Sequence, residues 1–143
     1  MLRRVLIPLL ILPFVVVARP ASAQEAAEMK WTRVEKADLD RFEGSAGDVR
    51  ISNVLLERES GSDPAGIATA YEFSASVANR SKDRMRVLVQ IIGVKGDGTP
   101  TLAAEDSVAV DARRNDSIRN TLNAPEKVLD ETVAYFVHAL ALP

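Results

Sequence analysis

The stretch Tyr71–Gly98, YEFSASVANRSKDRMRVLVQIIGVKGDG, constrains the fold more than any other part of the chain. Tyr71, Phe73, Ala75 and Val77 alternate with Glu72, Ser74 and Ser76. A period of two apolar and polar residues is the mark of a half-buried β-strand. Asn79–Asp83 breaks the alternation with residues that hydrogen-bond their own backbone and favour turns. Met85, Val87, Val89 and Ile91 then resume it. The opposite set, Arg86, Leu88, Gln90 and Ile92, starts charged and ends apolar, which predicts partial cover by another segment. Gly96-Asp97-Gly98 supplies the positive φ angles of a tight turn. The stretch therefore predicts a hairpin of two strands closed by a second turn.

Ahead of it lies a segment that reads as delivery. Arg3 and Arg4 precede an apolar run of 14 residues from Val5 to Ala18, and Ala21-Ser22-Ala23 is a small-x-small cleavage motif. This is the layout of a signal peptide of the general secretory route. The run is shorter than the roughly 20 apolar residues a spanning helix needs, and Pro8 and Pro13 interrupt it. Cleavage is expected after Ala23, giving domain bounds of 1–23 for the signal peptide, 24–47 for a lead-in and 48–143 for the folded domain. Residues 1–23 contain Arg3, Arg4 and Arg19 and no acid, so their removal leaves 15 basic against 20 acidic side chains. The resulting net charge of −5 provides no basic footprint for nucleic acid and no attraction to anionic lipid. The chain has no cysteine, which excludes thiol chemistry and an N-terminal lipid anchor. The expected product is periplasmic or secreted, with no stable membrane insertion after signal cleavage.

Gln24–Lys30 is helix-prone but short, and Trp31, Val34, Leu39 and Phe42 fit neither a helical nor an alternating template. The lead-in is therefore expected to be an irregular or partly helical flap that lays Trp31 and Phe42 on the domain. Val49–Arg58 reads as the first strand, with a phase change near Asn53 that a β-bulge would produce. Glu59–Gly66 is a loop, expected to be mobile from its Gly, Ser and Pro content. Pro100–Val110 gives another strand, where Asp106 in the apolar phase marks an edge or a break. Asp111–Asp116 is a turn, and Ser117–Ala124 favours a strand over a helix. Glu131–Leu142 is apolar on both faces, so it is central or covered on both sides. Some six to seven short strands separated by turn clusters predict an all-β fold, an antiparallel immunoglobulin-like β-sandwich.

Val77-Ala78-Asn79-Arg80-Ser81, followed by Val87-x-Val89-x-Ile91 and Asp97-Gly98, resembles the FxLyD family of small exported bacterial domains. The resemblance runs from Tyr71 to Leu122, and it departs at Gly93 and Lys95, where the family would place Leu and Asp. It implies an immunoglobulin-like fold and no known catalysis, and it supplies no functional residues.

Catalytic chemistry is poorly provided for. His138 is the only histidine, so no His-rich metal site can be built and no metal ligand set is expected. Its place between Val137 and Ala139 reads as structural before it reads as catalytic. No Gly-x-Ser-x-Gly elbow presents a serine, and Ser60 and Ser62 stand in a loop without one. Asp38 with Asp40, and Glu105 with Asp106, are the paired carboxylates a hydrolase would use, and on exposed elements such pairs are ordinarily solvated charge. Asp97-x-Thr99 and Asp111–Asp116 lack the alternating acids of a calcium loop. Asn79-Arg80-Ser81 matches the N-glycosylation pattern, which has no default meaning in a bacterium. No catalytic residue and no cofactor are expected.

Trp31 reads first as a packing anchor and second as a stacking platform for a ligand. The function expected is a non-enzymatic protein–protein interaction module of the bacterial cell envelope. Its partner is an envelope protein meeting a strand edge or the two-faced last strand, or a second copy in a homodimer. Trp31, Tyr135 and Phe136 are the candidate surface. The alternatives are a carbohydrate or small-ligand module using Trp31, Tyr71 and Tyr135, and a hydrolase using the paired acids.

Overall fold

The structure, a computed structural model, describes residues 25–59 and 69–143. The signal peptide, its cleavage site at Ala23, and most of the loop at 59–66, with Ser60 and Ser62, lie outside the described residues. Eight strands form two antiparallel sheets of four. They are β1 (Ala27–Glu35), β2 (Glu43–Ala46), β3 (Val49–Arg58), β4 (Thr69–Asn79), β5 (Met85–Val94), β6 (Pro100–Val110), β7 (Asn115–Ala124) and β8 (Ala134–Leu142). A 3-10 helix at Lys36–Arg41 and a single helical turn, α1 (Val128–Glu131), complete the elements of the described residues. One sheet runs β1-β8-β5-β6 and the other β2-β3-β4-β7. The β-sandwich predicted from alternation is therefore the fold, with six strands in residues 48–143 and two more from the lead-in.

Strict alternation fixes which side chains go inside. Phe73, Ala75 and Val77 of β4 face Val87, Val89 and Ile91 of β5 and Val137, Ala139 and Ala141 of β8 across a dry core. Tyr71, Leu102, Ala124 and Val128 form a second, smaller cluster. There Tyr71 donates its phenolic proton to the Glu126 carbonyl at 2.9 Å, which satisfies the one polar atom the burial would otherwise strand.

Two expectations are corrected by the topology. β4 and β5 lie where the alternation places strands but are not a hairpin. β4 pairs with β3 and β7, and β5 pairs with β6 and β8, so the Asn79–Asp83 turn is an arch from one sheet to the other. Its keystone is Asn79, 0 % exposed. The amide nitrogen donates to the carbonyls of Asp83, Val110 and Asp111 at 2.8, 3.0 and 3.2 Å, and the amide oxygen accepts from Ser81 N–H at 2.9 Å. The neighbouring β6–β7 arch locks onto it through Arg113 N–H to the Ser81 carbonyl at 3.2 Å. Asn79 is thus a buried structural side chain, closed to any modification of its amide. The hairpin in this region is β5–β6, turned at Gly98 with φ +85° and an Asp97 side chain that accepts from Thr99 N–H at 2.9 Å. Those Thr99 hydrogen bonds hold the Asp97 carboxyl below its ordinary value.

The second correction concerns the lead-in. Residues 36–41 are helical, as a 3-10 turn that buries Leu39 against the sandwich, but residues 27–35 are a full strand paired with β8. The phase change near Asn53 is a bulge between Ser52 and Leu55, with Asn53 at φ +49°. Gly93, where the FxLyD pattern has Leu, has a physical reason: a Cβ there would lie 2.7 Å from Thr101 Oγ1, which is hydrogen-bonded to Thr132.

Candidate functional site

The site grows out of a bulge in β1. Met29 pairs with Ala139 and Thr32 with Val137, so Lys30 and Trp31 together oppose the single residue His138. One extra residue reverses the inward and outward phase of the strand. It lets both Met29 and Val34 enter the core although five positions apart, and it turns Trp31 outward over β8. Simple alternation from Met29 would have pointed Trp31 into the sandwich.

On β8 the odd residues Tyr135, Val137, Ala139 and Ala141 face the core, so Phe136, His138 and Leu140 face out. The Trp31 and His138 rings stack, with centroids 4.9 Å apart and planes inclined by 24°. His138 is covered to 9 % exposure while Trp31 keeps 44 %. Strand register places Gln90 of β5 beside His138 and Glu105 of β6 beside Gln90. The result is a polar line across all four strands of the sheet. Glu28 Oε1 lies 3.0 Å from His138 Nε2, His138 Nδ1 lies 2.9 Å from Gln90 Oε1, and Gln90 Nε2 donates to Glu105 Oε2 at 2.7 Å. A carboxylate only accepts, so the Glu105 bond fixes the orientation of the Gln90 amide and presents its oxygen to the ring. Both ring nitrogens therefore face oxygen acceptors, and the ring donates to both at once only with two N–H groups.

Apolar side chains flank this line on both sides: Leu88, Ile92, Phe136 and Leu140, all half-buried. Between Trp31 and β6 the surface dips into an open cleft of about 200 Å³ lined by Trp31, Gln90, Ile91, Ile92, Ala103, Ala104 and Glu105. The indole is thus held by stacking, its imidazole partner is held by two hydrogen bonds, and the cleft beside it has one wall of charge.

The structure separates the residues singled out from the sequence. Trp31 and Phe136 share the outer face. Tyr135 does not: it points to the opposite side of β8, 2 % exposed, and burial pushes its phenol up to about 12. Tyr71 is likewise interior, so Trp31, Tyr71 and Tyr135 do not line one surface. Trp31 is not a buried packing anchor either, because the bulge places it outside. Glu105 and Asp106 are consecutive in a strand and point to opposite faces. Asp38 and Asp40 are exposed on the 3-10 helix, an element that packs on β3. Sequence reasoning missed His138, Gln90, Glu28 and Glu105 as a group. The one sequence signal, for Gln90 and His138 alone, is that polar residues interrupt the apolar outer positions of β5 and β8.

No family model matches the chain, so the resemblance to the FxLyD family rests on the strand and turn residues that suggested it. No curated protein matches it. Solved structures similar to this chain include the following three. A DUF1425 family member from Shewanella sp. aligns with 68 % of this chain and 84 % of its own, at 10 % identity and a TM-score of 0.42. The lipoprotein YajI from Escherichia coli aligns with 86 % of this chain and 70 % of its own, at 12 % identity and a TM-score of 0.39. A β-glucuronidase of glycoside hydrolase family 2 aligns with 50 % of this chain, at 12 % identity and a TM-score of 0.41. The present chain spans only 7 % of that enzyme. Among the described residues no helix is long and apolar enough to cross a membrane.

Proposed function

We propose that this chain is an exported, non-enzymatic β-sandwich that works by binding another protein in the bacterial cell envelope. Its binding face is the outer face of the β1-β8-β5-β6 sheet. The observation that carries the reading is Trp31, 44 % exposed yet fixed on His138 in the middle of half-buried apolar side chains. A large rigid aromatic held at the surface gains contact area on binding at little cost in conformational entropy, and exposed apolar surface of this kind marks interaction sites. The sugar-platform reading required two tyrosines that lie inside the sandwich. The hydrolase reading required carboxylates converging across a cleft, and the paired acids diverge. Export rests on the signal-peptide pattern at residues 1–23.

The test compares tagged mature protein with its Trp31→Ala and Phe136→Asp variants in affinity capture from an envelope extract, with light scattering on each. Proteins retained by the native chain and lost from both variants support the reading. A homodimer lost in both variants assigns the same face to a second copy. Identical capture by all three, from monomers, refutes it.

A further inference from the structure

The chemistry of the cleft narrows what it accepts. Its floor and one wall are apolar, formed by Trp31, Ile92 and Ala103. Of its two polar side chains, Gln90 has both amide ends engaged, with His138 and with Glu105. Glu105 spends Oε2 on Gln90, and among the described residues Oε1 has no hydrogen bond and no lysine or arginine pairs with the carboxylate. The cleft therefore offers one unspent anionic acceptor, a carboxylate oxygen, at the end of an apolar and aromatic trough whose indole N–H is, among the described residues, also without a partner. A neutral sugar brought here leaves the carboxylate without a cationic partner, which a charged ligand would supply. A long side chain with an apolar stem and a cationic head matches the trough at every point.

We infer that this cleft receives an arginine side chain of a protein partner, its guanidinium bound to Glu105 and its stem lying on Ile92 and Ala103 against Trp31. The inference rests on the binding-face reading above and deepens it. Arginine fits better than a compact ammonium because a planar, weakly hydrated guanidinium both stacks on an indole and hydrogen-bonds a carboxylate. The charges around the cleft agree. His138 is paired with Glu28, so that pair adds no net positive charge. Arg33 is engaged with Glu35 at 2.6 Å. Arg86 stands opposite Leu142, four residues along β5 from Gln90, or about 13 Å in an extended strand. Glu105 is the carboxylate that lines the cleft, and among the described residues no lysine or arginine pairs with it.

Trp31 is the only tryptophan in the chain, so its fluorescence reports on this cleft alone. The experiment titrates the mature protein with N-acetyl-Ala-Arg-Ala-amide in the millimolar range. The same peptide with citrulline, which is isosteric and neutral, is the control, and an N-acetylglucosamine oligomer is the competitor class. The expected result is a saturable change with the arginine peptide, at least about tenfold weaker with citrulline and about tenfold weaker in Glu105→Gln, a loss typical of one charge-assisted contact. Equal response to the citrulline peptide, an unaltered response in Glu105→Gln, saturation by the glycan alone, or no response to the arginine peptide each overturns the inference. If any of these occurs while Trp31→Ala still loses its captured partner, the arginine assignment falls and the binding face stands. If Trp31→Ala and Phe136→Asp capture what the native chain captures, both fall.

Discussion

The two sheets bury similar inner faces and present unlike outer ones. Outward from β2, β3, β4 and β7 stand Ser52, Ser74, Ser76, Ser117 and Thr121, with a Glu72–Arg119 pair at 3.2 Å, a Glu43–Arg50 pair, and one large apolar side chain, Leu55. That is the ordinary exterior of an antiparallel sheet with one face in water. Outward from β1, β8, β5 and β6 stand Trp31, Leu88, Ile92, Phe136 and Leu140 around a buried histidine. Nothing about sheet stability demands this, since the opposite sheet does without it. Both sheets obey the same alternation and pack the same core. The difference therefore lies in what each exterior presents to solvent, and the second presents the aromatic and aliphatic surface proposed above as the binding face.

Substitution of matched aromatic residues tests that contrast most strongly. Phe73→Ala empties a position at the centre of the core and should cost about 3–5 kcal/mol in denaturant unfolding. Phe136→Ala on the contact face should cost about 1 kcal/mol, because a half-buried ring has less to lose. Equal losses at the two sites would show that the outer ring is a structural element and break the comparison. Next in size is Asn79→Ala, which removes the amide that the Asp83, Val110 and Asp111 carbonyls of the joined arches share and takes the acceptor from Ser81 N–H. A loss of about 2–3 kcal/mol is expected, with no change in binding by the folded protein, because the arches hold both sheets without belonging to either exterior. A loss below about 0.5 kcal/mol would mean that water replaces the amide.

The smallest effect sharpens the contrast at neighbouring residues of one strand. Tyr135 and Phe136 are adjacent on β8 and face opposite ways. Burial raises the Tyr135 phenol to about 12, so its contribution to stability is complete below the ordinary phenol value and is lost as pH rises through about 12. The unfolding midpoint of the native protein should fall over that alkaline window, and Tyr135→Phe should flatten part of the fall. An unchanged pH profile in the variant would place the phenol in water and remove the distinction between the faces of β8.

Much of the architecture was legible because side-chain alternation is a local property. The positions of β4 and β5, the bulge at Asn53, the edge position of β6 signalled by Asp106, and the central place of β8 all follow from residues within one strand. The pairing of β4 with β5 did not follow. An arch and a hairpin use the same turn residues, and only the distant carbonyls at Val110 and Asp111 decide between them. β1 was illegible for a related reason. Its bulge breaks the period between Met29 and Val34, so a strand that pairs with β8 on both sides of the bulge is irregular in its pattern.

The candidate site shows the same division. Composition and order determined that this chain makes a two-layered all-β domain with one tryptophan, one histidine and no cysteine. They also determined which residues of β5 and β8 must point away from the core. Tertiary structure alone decided that Trp31 lies on His138, that Glu28, Gln90 and Glu105 join the ring in one line, and that Tyr135 turns its back on them. Four strands from both ends of the chain contribute to that line. Their register is set by long-range hydrogen bonding, which leaves no trace in the local spacing of side chains, and by a single inserted residue, which shows there only as a broken period.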